Sequence, residues 1–391
     1  MPDFLSEALA LFEYTQSLRR DFHSHPELGF HEIRTAGIVA RELTTLGLEV
    51  HTGVGGTGVV ALLEGARPGP VVLVRADMDA LPIREETGAA YASQNPGVMH
   101  ACGHDGHTAI LLTVAKMLHA HRNELSGTIK FMFQPAEEGM GGAESMITDG
   151  VLENPKVDGT LALHVWNEKP VGWFGIAGGP VMAGAEIFKI KVLGKGGHGA
   201  VPHLAVDPIL AAAQIISALQ GIVARNIAPL QTAVVSVCTI HAGETFNVIP
   251  PAVEMTGTIR TFEPVVRERV LERFEKTVHL IAEGMGCQAE IDLQLLSPAT
   301  INQPETAARV QAVARQLFPG GNVDSANYTT MGSEDFAYIL ERVPGCFFFI
   351  GSANPEKGLD AGHHHPKFDF DEAALPRGAA LMAAAITDFL R

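Results

Sequence analysis

"GPVVLVRADMDALP" (residues 69–82) joins a continuous apolar run to a cluster of charged residues. The run Val71–Val74 leads directly into Arg75, Asp77 and Asp79. An uninterrupted apolar run is typical of a strand that is covered on both faces, as in an α/β sheet. Ligands bind beyond the carboxyl ends of the strands in such sheets. The stretch therefore predicts a buried strand that delivers carboxylates to a ligand-binding edge.

Three further stretches repeat this pattern. Their apolar runs are Ile129–Phe133, Thr160–Leu163 and Cys346–Ile350, and helical periodicity separates them. The first run leads into Glu137 and Glu138, and the second leads into His164. We therefore predict an α/β fold whose catalytic domain has a mixed, helix-covered sheet with these polar side chains gathered at one edge.

Residues 185–296 follow a different pattern. "AEIFKIKVLGKG" alternates apolar and polar residues, as a half-exposed strand does. The helix after it has Asp207 as its expected N-cap and Pro208 at its first position. The order β-α-β-β-α-β is typical of a ferredoxin-like domain. We predict that this domain is inserted into a discontinuous catalytic domain made of residues 1–184 and 297–391.

The composition excludes several classes of protein. Of the 391 residues, 46% are hydrophobic and 18% are charged, which indicates a globular chain. The net charge of -16 argues against a nucleic-acid partner. Apolar stretches such as "ILAAAQIISAL" are too short to span a bilayer, so no membrane partner is expected. The four cysteines have no CxxC spacing and no basic leader precedes them, which favours reduced thiols in the cytoplasm.

"HACGHDGH" (residues 100–107) places Cys102 and His104 two residues apart, ahead of a predicted helix. A helix N-terminus favours the thiolate form of a cysteine, and thiolate and imidazole both bind divalent metals. Two ligands are too few for a catalytic ion. The strand-end residues Glu137, Glu138 and His164 are candidates for the others, as is the tract "HHHPKFDFDE" (residues 363–372). This mixture of donors suits zinc, cobalt, nickel or manganese.

Each candidate also has a purely structural explanation. Cys102 alone could be a small core residue, His164 a buried histidine and the glutamate pair a solvated turn. A cysteine nucleophile is a further alternative, but a spacing of two would rarely align Cys102 with His104 as its base. The shared location of the candidates at strand ends and a helix start favours a common metal site.

Nine ordered motifs carry a resemblance to a known family: "RADMDALP", "HACGHDGH", "QPAEEGMGGA", "LHVW", "GKGGHGAVPH", "NVIP", "GTIRTF", "MGSEDF" and "HHPKFDFDE". They resemble the amidohydrolase branch of the metallopeptidase M20 family, which includes hippurate hydrolases, auxin-conjugate hydrolases and N-acyl-amino-acid deacetylases. The resemblance runs over nearly the whole chain. It implies that the inserted domain serves as a lid and a dimerisation domain, in a homodimer or a dimer of dimers.

The resemblance implies a site for two divalent metal ions, of manganese, zinc, cobalt or nickel. The implied ligands are Cys102, His104, Glu138, His164 and His364. Cys102 takes the bridging place that an aspartate holds in other branches, and His364 is selected because Pro366 follows it by two positions. Many M20 peptidases have His-x-Asp where this chain has Arg75-Ala76-Asp77. We therefore expect Asp77 to orient a ligand without binding metal itself.

The resemblance also implies a mechanism. Glu137 matches the general base, and His198 matches a donor to the tetrahedral oxyanion that comes from the partner subunit. Asn247 and Arg260 match substrate-binding positions, and Arg260 suits a bidentate pair with a carboxylate. Asn247, which precedes "VIP", could instead be turn chemistry.

The expected function is metal-dependent, hippurate hydrolase-like hydrolysis of small N-acyl amino acids to a carboxylic acid and a free amino acid. The acyl group could be aroyl, acetyl or similar. The alternative within the same class is an aminoacylase or dipeptidase that acts on small peptides. A metal-free cysteine hydrolase and a non-catalytic binding protein remain as alternatives from other classes.

Overall fold

A computed structural model describes residues 2–325 and 328–391, and the chain divides into two compact units. The first unit comprises Met1–Val181, Thr300–Thr329 and Asp335–Arg391, and the second comprises Met182–Ala299 with Thr330–Glu334. The predicted insertion, residues 185–296, lies inside the second unit. No sequence pattern indicated that residues 330–334 also belong to it.

The β-strands occur in both units. In chain order they are β1 (Glu49–Val54), β2 (Gly58–Glu64), β3 (Arg67–Asp77), β4 (Ser126–Gln134), β5 (Gly159–Pro170), β6 (Trp173–Gly175), β7 (Gly179–Met182), β8 (Gly184–Leu193), β9 (Gly197–His198), β10 (Ala233–His241), β11 (Val248–Ile249), β12 (Ala252–Thr261), β13 (Gln288–Ser297), β14 (Thr300–Asn302), β15 (Asn322–Asp324) and β16 (Gly345–Ala353).

The α-helices alternate with these strands. They are α1 (Phe4–Ala10), α2 (Phe12–Ser24), α3 (Ile33–Thr45), α4 (His104–Ala120), α5 (Gly142–Thr148), α6 (Pro208–Asn226), α7 (Pro264–Gly284), α8 (Pro304–Leu317), α9 (Ala337–Leu340) and α10 (Ala374–Phe389). The sequence pattern predicts two helices within residues 1–47. The structure has three described helices there, because the chain breaks at Leu11 between α1 and α2.

The first unit is built on an eight-stranded sheet with the order β1-β2-β4-β3-β5-β16-β6-β15. The four strands predicted from apolar runs, β4, β3, β5 and β16, are neighbours in this sheet and run parallel. Strands β1 and β2 are antiparallel, which makes the sheet mixed and confirms the predicted fold class. Because the four central strands are parallel, their carboxyl ends lie along one edge.

Helices α4 and α10 cover the central strands. Both are buried at nearly every position, as helices packed on more than one side are. Helix α4 contacts β3 and α10 contacts β5, and the two helices also contact each other. The apolar core of the first unit includes Val72, Val74, Phe131 and Phe348 from the central strands. This packing fixes the start of α4 against the ligand-binding edge.

The second unit has the predicted ferredoxin-like order, β8-α6-β10-β12-α7-β13, with the short ribbon β9/β11 added. Its antiparallel sheet has the order β10-β12-β8-β13 and a core of its own. By length and composition α6 could cross a membrane, and it is the one such helix among the described residues. Its buried stripe, which includes Ala211, Ile215 and Leu219, lies in the core of the unit, so this is weak evidence for a span.

Candidate metal centre

The start of α4 places two of the predicted ligands at the edge of the main sheet. Gly103 has φ 93°, in the left-handed region that favours glycine, and α4 begins at His104. A Cβ atom at position 103 would lie 2.3 Å from Cγ2 of Val165, so the close packing also requires glycine. The sequence suggested that the helix follows the histidines. The structure instead puts His104 and His107 on its first turn.

All five predicted ligands come together in two groups that share Cys102. One group is Cys102, His104 and His164, and the other is Cys102, Glu138 and His364. Within each group the donor atoms lie within 4.8 Å of one another. Sγ of Cys102 is 3.5 Å from Nε2 of His164, and Nε2 of His364 is 3.2 Å from Oε1 of Glu138. Two donor triads that share one sulfur could hold two cations, one in each triad.

The donors themselves also fit divalent cations. Sulfur, imidazole nitrogen and carboxylate oxygen are ligands of zinc and its transition-metal neighbours. Nε2 of His104 is buried and has no hydrogen-bond partner among the described residues. Its Nδ1 is within hydrogen-bond distance of the main-chain oxygen of Asp79 (2.9 Å) and of Oδ1 of Asp79 (3.1 Å). This arrangement leaves Nε2 as the coordinating atom.

The protein groups alone do not favour a thiolate at Cys102. Burial, and next the nearby Glu138 and Glu137 carboxylates, raise the pKa of the Cys102 thiol well above its usual range. The expectation that the helix N-terminus favours the thiolate is therefore not met, because the helix dipole is a small effect beside burial and two carboxylates. Burial also opposes a charge on His104, but Asp77 and Asp79 outweigh it and raise the pKa of His104 to about 10. The Cys102 thiol would be deprotonated if it coordinated a divalent cation, which would reverse this balance.

Asp79 holds two ligands at once. Besides its contact with His104, its Oδ2 accepts a hydrogen bond from the main-chain N–H of Glu138 at 3.0 Å. Sequence reasoning placed Asp79 at the strand end without giving it a role. The sequence feature that could have indicated this role is the alternation of residues 75, 77 and 79, which puts them on one side of an extended chain.

Asp77 contacts His107, a histidine that is not among the predicted metal ligands. Its Oδ1 accepts from Nδ1 of His107 at 2.6 Å, and its Oδ2 accepts from Nη1 of Arg75 at 2.6 Å. Oδ2 of Asp77 also lies 3.7 Å from Nε2 of the predicted ligand His104. Because Nε2 of His107 accepts from the N–H of Val165 at 2.9 Å, Asp77 acts through His107 on the strand that carries His164.

Glu137 lies beside the ligand cluster and is almost fully buried. One of its carboxylate oxygens is within 4.8 Å of donor atoms of both His104 and Glu138. The main-chain N–H of Asp335, from the motif "MGSEDF", lies 3.4 Å from Oε1 of Glu137. The Asp335 carboxylate accepts from Nε2 of Gln134 at 2.7 Å and from the N–H of Ala143 at 2.9 Å. Asp335 therefore connects the end of β4 to the start of α5, on either side of Glu137. Sequence reasoning missed this role.

The second unit carries the three remaining predicted residues. His198 lies on β9 and is exposed, and its Nδ1 accepts from the N–H of Ala200 at 3.1 Å. Asn247, also exposed, precedes β11, the strand that pairs with β9. Arg260 is half-buried on β12, where burial lowers its pKa, and it donates to the hydroxyl of Thr258. His198 and Asn247 therefore share one ribbon, whereas Arg260 lies on the four-stranded sheet.

Known proteins resemble the chain over almost its full length. The model of peptidase family M20/M25/M40 matches residues 73–388. An N-acetylcysteine deacetylase of Bacillus subtilis is 42% identical over 369 residues, which are 92% of this chain and 92% of that protein. The IAA-amino acid hydrolase ILR1-like 4 of Arabidopsis thaliana is 39% identical over 387 residues, 97% of this chain and 86% of that protein.

A solved structure supports the same relationship. The Bacillus subtilis YXEP protein, described as a dinuclear metal binding peptidase from the M20 family, superimposes with a TM-score of 0.85. It is 37% identical in sequence, and the match covers 97% of this chain and 99% of that chain. The overall fold thus has a counterpart in a protein described as binding two metals.

Proposed function

The chain belongs to peptidase family M20/M25/M40, and from this premise we propose that it hydrolyses the amide bond of small N-acyl amino acids. The products are a carboxylic acid and a free amino acid. That the chain is a dinuclear metal-dependent amidohydrolase follows from the family and its relatives. The proposal adds the substrate class, with benzoyl, acetyl and indoleacetyl conjugates as the first to examine. The observation that carries it is the pair of donor triads sharing Cys102, with Glu137 beside them.

The two triads would hold two divalent cations, which would supply Lewis acidity and lower the pKa of water at the scissile carbonyl. Glu137 is the side chain that moves the proton. Its carboxylate lies at the cluster but is not needed to complete either triad, so it can take a proton from the attacking water. The same group then delivers that proton to the leaving amine. Asp79 and Asp77 keep the ligands oriented while this happens.

The second unit supplies the substrate contacts in this proposal. His198 donates to the oxyanion of the tetrahedral intermediate, and Arg260 pairs with the substrate carboxylate. Asn247 binds the substrate beside them. His198 acts on the centre of a partner subunit in a homodimer, and its exposure on the β9/β11 ribbon is compatible with that role. A cytoplasmic location is a further part of the proposal.

The names of the relatives support an N-acyl amino acid as the substrate. An N-acetylcysteine deacetylase and an IAA-amino acid hydrolase both act, by name, on an amino acid that carries an acyl group. The solved neighbour is described as a peptidase, which makes small peptides the second candidate class. The two classes differ in the group on the carbonyl side of the scissile bond, which is a simple acyl group in an N-acyl amino acid and an aminoacyl group in a dipeptide.

A substrate panel tests the proposal. Metal-stripped full-length protein is offered benzoyl-, acetyl- and indoleacetyl-amino acids and matched free dipeptides, with and without added manganese, cobalt or zinc. We expect metal to restore cleavage of at least one N-acyl amino acid, with dipeptides cleaved more slowly. Cleavage of dipeptides alone would establish the second candidate. Metal-independent cleavage that alkylation of Cys102 abolishes would instead establish a cysteine hydrolase.

A further inference from the structure

The turn between β4 and α5 is unusual because the carboxylates of two consecutive residues lie at the same place. Glu137 and Glu138 both have a carboxylate oxygen within 4.8 Å of His104 donor atoms. Regular backbone does not do this, since neighbouring side chains point to opposite faces of a strand and diverge around a helix. The preceding residue, Ala136, has φ 53°. A non-glycine residue in this left-handed region persists only where its surroundings hold it.

Three contacts hold Ala136. Its N–H donates to Oε1 of Glu32 at 2.9 Å, and its carbonyl accepts from the N–H of Gly142 at 3.1 Å. Its third neighbour is Gly29, where an added Cβ atom would lie 3.1 Å from both Cα and Cβ of Ala136. Of the three, the Glu32 contact is the one made by a side chain, and it comes from a segment 104 residues earlier in the chain.

Glu32 has no local role that would explain its carboxylate. It occupies the N-cap position of α3, yet its side chain makes no capping bond. Glu27 caps the helix instead, because its carboxylate accepts hydrogen bonds from the N–H groups of Arg34 (2.9 Å) and Thr35 (2.8 Å). The Glu32 side chain is therefore directed away from its own helix.

Burial of the Glu32 carboxylate costs free energy, because the charged group is removed from water. The residue has 0% exposure, and its second oxygen accepts from the hydroxyl of Thr57. Both donors are neutral, whereas a buried carboxylate is normally paired with a cation. Burial accordingly raises the pKa of Glu32.

We propose that Glu32 is a positioning residue for the metal centre and its general base. Its carboxylate holds Ala136 in the left-handed conformation that turns Glu137 and Glu138 toward the same cations. The catalytic part of this inference rests on the proposed function. The effect on metal binding rests on the ligand cluster alone.

The test compares Glu32→Ala with Glu32→Gln in the metal-loaded full chain. Glutamine can accept from Ala136 through its oxygen and donate to Thr57 through its amide, so it should rescue the alanine variant. For Glu32→Ala we expect kcat to fall by roughly 10- to 100-fold with little change in KM, since small misplacements of a reacting group have effects of this size. We also expect weaker binding of at least one manganese ion and faster hydrogen exchange of the Ala136 amide.

Two further variants keep the test decisive. Glu27→Ala removes the cap of the same helix and should lower the melting temperature without changing kcat, metal affinity or Ala136 exchange. Gly29→Ala places a methyl group 3.1 Å from Cα and Cβ of Ala136, and 3.0 Å from Sδ of Met140, while leaving Glu32 in the chain. It should reproduce the losses even if Glu32→Ala does not fold.

Several outcomes would overturn the inference. One is a Glu32→Ala or Gly29→Ala variant with wild-type metal affinity and exchange. Another is a Glu32→Gln variant as impaired as alanine, and a third is a Glu27→Ala variant with the same losses. If the wild-type protein cleaves no amide, the proposed function fails, but manganese affinity and amide exchange still decide the role of Glu32.

Discussion

The metal centre of the first unit and the β9/β11 ribbon of the second unit were both identified from sequence motifs, yet they are built differently. At the metal centre, His104 and Glu138 are held by Asp79, and His107 is held by Asp77. On the ribbon, His198 is exposed and bonded to the backbone two residues away. Buried donors that other side chains orient have a geometry set by the fold, whereas exposed donors acquire their role from what they contact.

The largest effect should come from the proton-moving group of the buried region. Glu137→Gln removes the base but keeps the shape of the side chain, so we expect kcat to fall by about 10³- to 10⁴-fold. Metal content should not change, because Glu137 is outside both triads. Steady-state kinetics with metal analysis of the same sample checks both points. Activity within about tenfold of wild type would remove Glu137 from the mechanism.

The exposed region should give the next largest effect, with a different signature. His198→Ala should lower kcat by roughly 10²- to 10³-fold, as the loss of an oxyanion donor does. Melting temperature and metal content should stay at wild-type values because His198 is exposed and its side chain accepts a hydrogen bond from the backbone of Ala200. A fall in metal content would mean that the contrast between the two regions is wrong.

Mixing two inactive variants sharpens this prediction. In a heterodimer of Glu137→Gln and His198→Ala chains, one site would combine an intact Glu137 with an intact His198 from the partner. We expect activity to reappear on mixing and subunit exchange if His198 acts between subunits. Persistent inactivity of a verified heterodimer would place His198 on its own chain's site.

Asp79→Asn should have a smaller effect, on metal binding. Loss of a carboxylate that orients a ligand histidine typically weakens metal affinity by roughly 10- to 100-fold. Asn247→Ala is the matched control from the exposed region and should leave metal affinity unchanged. Metal competition titrations with a chromogenic chelator measure both variants. Equal affinities in Asp79→Asn and wild type would mean that the Asp79 contacts do not stabilise the centre.

The smallest expected effect is a change in stability with pH that arises from Asp371, which lies in the same tract as His364 (residues 363–372). Burial favours the neutral form of Asp371, but hydrogen bonds from Asn354, Ala373 and Lys357 outweigh it and lower the pKa of Asp371. Because the folded pKa lies below the unfolded one, its stabilisation is fully present above about pH 4 and is lost as pH falls through the folded value.

Thermal melts of Asp371→Asn and wild type test this sign. Asp371→Asn should melt about 2 °C lower at pH 7, with a smaller difference at pH 3. A difference that grew toward acid pH would contradict the assigned direction of the pKa shift.

The central sheet was predictable from the sequence for a physical reason. Strands β3, β4, β5 and β16 are buried on both faces, so their apolar runs are visible without knowledge of their partners. The carboxyl ends of parallel strands meet, which is why Glu138 and His164 could be placed together in advance. Polar contacts were harder to predict, since Asp79 and Glu32 are recognisable only through partners distant in the chain.

The three histidines 363–365 also show that sequence alone does not reveal which polar residue reaches the site. His364 was chosen because the resemblance places the ligand two residues before proline, since composition does not distinguish it from its neighbours. In the structure His364 has φ 63°, and its N–H donates to the carbonyl of Ala101, which aims its side chain at Glu138. His363 instead stacks on Trp166 with ring centroids 4.6 Å apart. Only the fold separates the ligand from the packing residue.

The central claim is that Cys102 belongs to two cation sites at once. The most direct measurement is the number and affinity of manganese ions bound by metal-stripped wild-type protein and by Cys102→Ala, using equilibrium dialysis with elemental analysis. We predict two ions per wild-type chain, and weakened binding at both sites in the variant. A single ion in the wild type, or a loss confined to one site in Cys102→Ala, would contradict the claim.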